Sequence, residues 1–190
     1  MLSILRKKNR KIEEIKRGKR KIMHISDTPR SVYKFLGELI AETQPDVIIH
    51  TGDLVDNLKL ERKPWLKEKY AESLKKLSFI FGKSGALVYI VPGNEDDVEL
   101  IKRIILNSIL VKPGSVIKLY GLTFALSHKP EDIKEIQADF KLYGHDPKCF
   151  EGLNGIHSVN FIIIPEKKVV KINYPPGTNF DRGYRIFRGL

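Results

Sequence analysis

The chain has a single cysteine, Cys149, among 190 residues, which excludes an intrachain disulfide and makes a reducing cytoplasm its simplest home. It has no apolar run approaching the roughly 20 residues needed to cross a bilayer; the apolar segment 161–164 is of strand length only. Residues 1–5 are largely apolar but too few for a signal-peptide core, and cations follow at once. Internal repeats, low-complexity tracts and domain-splitting linkers are also missing. With those classes set aside, 42% hydrophobic against 30% charged residues describes a soluble globular protein rather than a disordered one. Abundant Lys, Glu and Ile with short predicted loops matches the composition of thermophilic proteins.

Charge is unevenly spread. Residues 1–21 carry ten Lys/Arg (Arg6, Lys7, Lys8, Arg10, Lys11, Lys16, Arg17, Lys19, Arg20 and Lys21) against Glu13 and Glu14, a net of +8 out of +11 for the whole chain. This divides the chain into a basic N-terminal extension over 1–20 and one folded domain over 21–190. Such an arm can attract nucleic acid or an acidic membrane surface, while a solvated, partly helical extension is the plainer expectation. No aromatic residue is interleaved with these charges, so base stacking gets no support from the arm itself.

From residue 21 onward strand and helix signals alternate. Residues 22–26 form a short β-like run ending at Asp27. Val32, Phe35, Leu36, Leu39 and Ile40 then recur with the spacing of an amphipathic helix. Residues 46–50 are β-branched and stop at Thr51-Gly52-Asp53. A second helix is expected over 64–81, with Trp65, Tyr70, Leu74 and Leu77 on its buried side and Pro64 in its first turn. A third strand, 86–91, ends at Pro92-Gly93, and Asp96 and Asp97 open a third helix. Three β-then-α units argue for a parallel sheet with right-handed crossovers. The second half is richer in short strands, expected at 116–120, 122–127, 140–143 and 160–164, the last pairing with 169–172 across a turn.

Each strand end carries a possible ligand: Asp27, Asp53, Asn94, His128 and His145. In α/β folds the ligand crevice lies outside the carboxyl ends of the strands, where loop-borne groups converge. Carboxylate, amide oxygen and imidazole together suit Mn²⁺, Fe²⁺ or Zn²⁺. Gly52, Gly93 and Gly144 each precede a ligand and let the backbone turn tightly toward an ion. Singly, each of these residues reads as an ordinary loop or surface group; their joint order and spacing point to a site. His24, His50 and His157 read as structural, and Asp56 as a loop or capping residue.

The stretches ISDTP (25–29), HTGDLVD (50–56), PGNEDD (92–97), LSHKP (126–130) and YGHDP (143–147) resemble, in order, the motifs of the calcineurin-like metallophosphoesterase superfamily, in particular its small single-domain bacterial and archaeal branch. The resemblance runs from residue 22 to about 178. It implies a mixed α/β, four-layer αββα sandwich: two mixed β-sheets face to face, with helices outside. It also implies two divalent ions, bridged by Asp53, that activate water against a phosphate ester, Asp53, Asn94, His128 and His145 serving the second ion.

Three positions depart from that pattern. Pro29 and Pro147 stand where the family places histidines for the first ion, and proline offers no lone pair; Asp27 and Asp53 remain as that ion's expected protein ligands. Glu95 stands where many members carry a leaving-group histidine, either as an acid or simply reaching solvent. Asp146 lies in position to rebuild the first site, which would favour Mg²⁺ or Mn²⁺. Three functions fit: a slow metal-dependent phosphoesterase on one or two ions, acting on a mono- or diester; an inactive binding or scaffold module on the same fold; and a nucleic-acid-binding protein using residues 1–21. The final stretch, with Arg182, Tyr184, Arg185, Phe187 and Arg188, reads as an exposed terminal strand.

Overall fold

The computed structural model describes residues 2–148 and 151–183, with side chains from Lys8 onward; Cys149 and Tyr184–Arg188 lie outside the described residues. The chain opens with helix α1 (Leu2–Lys16), followed by β1 (Arg20–Ile25), α2 (Tyr33–Thr43), β2 (Val47–His50), α3 (Lys67–Ser84), β3 (Leu87–Ile90), α4 (Val98–Ile104) and β4 (Ser108–Leu110). Then come β5 (Ser115–Leu119), β6 (Leu122–Leu126), β7 (Phe140–Tyr143), β8 (Leu153–Asn154), β9 (Ser158–Ile164), β10 (Lys168–Asn173) and the short α5 (Thr178–Asp181).

Two mixed sheets result. The larger has the order β10-β9-β1-β2-β3-β4, with β1 to β4 parallel and β9 antiparallel to both β1 and β10. The smaller runs β5-β6-β7-β8, antiparallel at β5–β6 and parallel thereafter. Period-2 alternation decides which layer each strand residue joins. Ile22, Val47, Ile49, Ile162 and Ile164 meet Phe124, Leu126 and Leu142 in one apolar cluster between the sheets. Their neighbours Met23, Ile25, Ile48, Phe161 and Ile163 face the opposite way, into a second cluster with the helices. The outer face of the smaller sheet is covered more thinly, by the 3-10 turn Pro130–Ile133 and a small cluster around Ala125, Ile133 and Tyr143.

Two local expectations change. Trp65 is exposed, because Pro64–Leu66 is a 3-10 turn preceding the α-helix; the buried stripe of α3 is Tyr70, Leu74, Leu77 and Phe81. Asp97 alone caps α4, accepting from Leu100 N at 2.9 Å, while Asp96 turns inward. The N-terminal segment is helical through Lys16, and its Ile12 and Ile15 are buried in the main core. Among the described residues no helix is long and apolar enough to cross a membrane.

Candidate metal centre

The parallel strands β1, β2 and β3 all deliver their carboxyl ends to one edge, as do β6 and β7 of the facing sheet. Asp27 leaves β1 in the left-handed region (φ 50°), Asp53 does so beyond β2 (φ 54°), and His145 beyond β7 (φ 63°). Non-glycine residues avoid that region, and such strain gathers where function requires it. The preceding glycines serve close approach. A Cβ at Gly93 would fall on Asp53 Oδ1, and one at Gly144 on the Asp27 carboxylate and Ser26 Oγ.

Asp27, Asp53 and His128 are all buried, and each offers one ligand atom within 4.8 Å of the others. His128 Nδ1 contacts the Thr51 carbonyl at 2.7 Å, which fixes the proton there and leaves the Nε2 lone pair facing the carboxylates. That Nε2 is 3.4 Å from Asp53 Oδ1 and 3.1 Å from His145 Nδ1. Asp27 Oδ2 accepts from Ser26 Oγ at 2.6 Å and from His145 N at 3.1 Å. The donor set of carboxylate and imidazole fits a borderline divalent ion.

The charges agree with that fit. Burial by itself drives the His128 ring toward neutrality, yet the Asp53 carboxylate bonded to it, helped by Asp27, outweighs burial and lifts the ring to about 9. Burial pushes Asp53 up, but contact with His128 leaves its carboxyl below the usual value. Asp27, dominated by burial, is raised. Two carboxylates in this pocket thus draw a positive charge toward them, supplied by a proton on His128 when no ion is bound.

The other expected residues fall into two groups. Asn94 is exposed on the loop after β3, and its Nδ2 donates to Glu61 Oε2 at 2.6 Å. The amide nitrogen is thereby engaged, leaving Oδ1 as the atom able to ligate. Glu95 does not reach solvent: it is 3% exposed, with its N–H on Asp53 Oδ1 at 3.0 Å and its Oε2 accepting from Glu61 N at 2.8 Å. Asp146 Oδ1 accepts from Lys148 N at 2.8 Å, and Asp146 is not among the three residues whose ligand atoms lie within 4.8 Å of one another. Pro29 is buried ahead of a 3-10 turn, and Pro147 is exposed. Asp56 is fully buried in the turn after Asp53 and pairs with Lys59.

His24 and His50 are structural. His24 lies between Thr51 Oγ1 and Asn160 Nδ2, and His50 between Thr28 Oγ1 and Gly52 N. His157 sits in the turn before β9 rather than within a strand.

Two residues that hold the centre together escaped the sequence reading. The Asp96 carboxylate accepts from the main-chain N–H of Gly93, Asp53 and Leu54 and from Tyr70 Oη, tying the β2 and β3 loops together. Arg182, expected on an exposed terminal strand, is 1% exposed. It donates to the main-chain carbonyls of Asp27 at 2.6 Å and Ile156 at 2.7 Å. The aspartate after Gly-Asn was a visible signal for Asp96; nothing local signals Arg182.

A two-sheet sandwich with aspartates and histidines converging at its strand ends defines a metal-dependent hydrolase of phosphate esters. The model of the calcineurin-like phosphoesterase family matches residues 20–168, and the chain belongs to that family. Its fold is shared with a solved crystal structure at 15% identity and a TM-score of 0.59, covering 82% of this chain and 99% of that one. It is also shared with Yfce, a phosphoesterase from E. coli, at 16% identity and a TM-score of 0.50, covering 82% of this chain and 100% of that one. No curated protein sequence matches the chain.

Proposed function

We propose that the chain hydrolyses a phosphate mono- or diester slowly, with one divalent ion held by Asp53, Asn94, His128 and His145 and with the Asp27 carboxylate beside it. Mn²⁺, Fe²⁺ or Zn²⁺ suits this mixed donor set, with Mg²⁺ less favoured. The observation carrying the reading is the burial of Asp27 and Asp53 against His128, their ligand atoms within 4.8 Å of one another. Such an ion supplies Lewis acidity toward the phosphoryl oxygen and lowers the pKa of water.

The chain's own residues provide the order around it. Asp96 fixes the loops carrying Asp53 and Gly93, so the Asp53 carboxylate enters in one orientation. Thr51 fixes the His128 tautomer. Glu61 engages both Asn94 and Glu95, so neither side chain swings freely over the site. Pro29 and Pro147 cannot ligate, which leaves a second ion short of two imidazoles and deprives the transition state of about several kcal/mol of charge stabilisation. A purely scaffolding role has no need of two buried carboxylates in left-handed backbone, each costing about 1–3 kcal/mol of strain. The single cysteine keeps a cytoplasmic setting as our placement.

The test is metal content per chain after loading with Mn²⁺ or Zn²⁺ and desalting, alongside hydrolysis of p-nitrophenyl phosphate and bis-p-nitrophenyl phosphate. One ion per chain, lost in His128→Ala together with hydrolysis, is the expected result. No ion in the wild type would leave a scaffold on this fold.

A further inference from the structure

Away from the metal centre, α1, the Phe35 turn of α2 and the end of β10 enclose a cleft of about 650 Å³. That lies within the size range of small-molecule sites, about 300–1,000 Å³. Its walls are Phe35, Ile172, Tyr174, Pro175 and Pro176, and its rim is Lys8, Lys11 and Lys171. No carboxylate lines it. The two acidic residues of α1 are engaged elsewhere, Glu13 with Lys16 and Glu14 with Lys168, so the three rim lysines have no carboxylate partner among the described residues.

The two walls differ in chemistry. Phe35 and Tyr174 meet edge to face, 6.2 Å between centroids, which leaves aromatic surface toward the cleft. Lys8 Nζ lies 5.4 Å from the centre of the Phe35 ring, and Lys11 Nζ, on a half-buried stem, donates to the Lys171 carbonyl at 2.7 Å. Lys8 thus lies over the Phe35 ring and Lys11 is fixed beside it, while the Tyr174 ring and the prolines line the rest of the cleft, an arrangement that accepts a flat ring on one side and an anion on the other. The cleft is also joined to the catalytic side. The Tyr174 ring stacks on the Arg182 guanidinium at 4.6 Å, and Arg182 bonds the Asp27 carbonyl at 2.6 Å.

We propose that this cleft is a second binding site, separate from the metal centre, for a ligand that pairs an aromatic base with phosphate. The base lies against Phe35, Tyr174 and the prolines; the phosphate meets Lys8, Lys11 and Lys171. Free nucleotides and the end of a nucleic-acid strand share that chemistry. Two of the ten cations of the N-terminal segment, Lys8 and Lys11, acquire a role by this assignment.

The experiment is a titration of the full chain with AMP in excess EDTA, so that the metal centre contributes nothing. Binding is expected, weakened about tenfold or more in Lys8→Ala/Lys11→Ala, weakened likewise by rising salt, and unchanged in His128→Ala. Lys171→Glu, at an exposed position, gives the same loss without touching α1, and circular dichroism confirms that each variant is folded. Inorganic phosphate should compete far more weakly than AMP. Equal competition by phosphate, binding that survives both lysine variants, or no AMP binding to metal-free protein would each overturn the proposal. A single-stranded oligonucleotide that displaces AMP identifies a strand end as the ligand; failure to displace identifies the free nucleotide, and either result upholds the site.

Discussion

His145 Nδ1 faces His128 Nε2 across 3.1 Å, with the two rings inclined at 72°. His128 has committed its other nitrogen to the Thr51 carbonyl, so its Nε2 is the atom that faces His145 and the adjacent carboxylates and takes either a proton or an ion. Proton and metal compete for the same place. Most of the expected behaviour of the site follows from that competition.

Metal binding should release protons. The metal-free His128 ring holds its proton up to about pH 9, so below that pH an incoming ion must displace it. Affinity for Mn²⁺ should therefore rise about tenfold per pH unit from pH 6.5 toward 9 and level off beyond. Calorimetry in buffers of different ionisation heat should record close to one proton released per ion at pH 7. Absence of proton release would remove His128 from the ligand set.

The metal-free protein should lose stability over the same interval. A ring raised above its ordinary 6.5 stabilises the fold below that pH, and the contribution disappears as pH climbs through about 9. His24 and His50 act at the other end. Burial holds both near 3, so the unfolded chain takes up protons first as pH falls below 6.5. Stability should then drop by about 1.4 kcal/mol per pH unit for each ring until pH 3 is approached. Thermal unfolding from pH 4 to 10, with His24→Asn lowering the acid slope, tests both limbs.

Glu61 should matter to metal affinity although no motif contains it. Its carboxylate holds the Asn94 amide nitrogen at 2.6 Å and its N–H holds Glu95 at 2.8 Å. Glu61→Ala removes the carboxylate that holds Asn94 while keeping the main-chain N–H that holds Glu95, and orienting partners of this kind are worth about 10–100-fold in metal affinity. A Mn²⁺ titration that gives the same affinity for the variant and the wild type would show that Asn94 is not oriented by Glu61.

Glycine substitutions separate packing at the centre from general backbone effects. Gly93→Ala places a methyl against the Asp53 carboxylate and should abolish tight metal binding, with about 1–3 kcal/mol of overpacking cost. Gly82, inside α3, has open space around it, and Gly82→Ala should stabilise the fold by about 0.5–1 kcal/mol with metal binding intact. Denaturant unfolding and metal content of the two variants decide the matter.

The legible part of this protein is what repeats locally. Alternating apolar residues such as Ile22, Met23, Ile48 and Ile49 announce strands buried on both faces, and of the groups read at strand ends Asp27, Asp53 and His128 lie together in the structure. Trp65 misled because it stands five residues before Tyr70, off the helical stripe, and in a 3-10 turn. Glu61 and Arg182 depend on contacts made across 34 and 155 positions, which no local pattern encodes, whereas Asp96 stood in view just beyond Gly93-Asn94 and only its reach across 43 positions to Asp53 was hidden. The lysine-rimmed cleft is of the same kind. Lys11 and Lys171 are 160 positions apart, and only the packing of α1 beside β10 makes them neighbours.

Restoring a lost ligand is the most direct probe of the departures. Pro147 is exposed two residues beyond His145, whose N–H is fixed to Asp27 Oδ2, so a histidine there enters from a loop already anchored to the site. Pro147→His should raise the Mn²⁺ content from one ion per chain toward two and increase hydrolysis of bis-p-nitrophenyl phosphate by about tenfold or more, each 1.4 kcal/mol of added transition-state stabilisation giving one factor of ten. Pro29→His alone should gain less, because Pro29 is buried ahead of a 3-10 turn and the larger ring must displace its neighbours. The double variant should exceed either single one, since both imidazoles would serve the same ion. Metal content still at one in the double variant would mean that the buried Asp27 carboxylate, held by Ser26 and His145 N–H, is committed to protein donors and no longer open to a second ion.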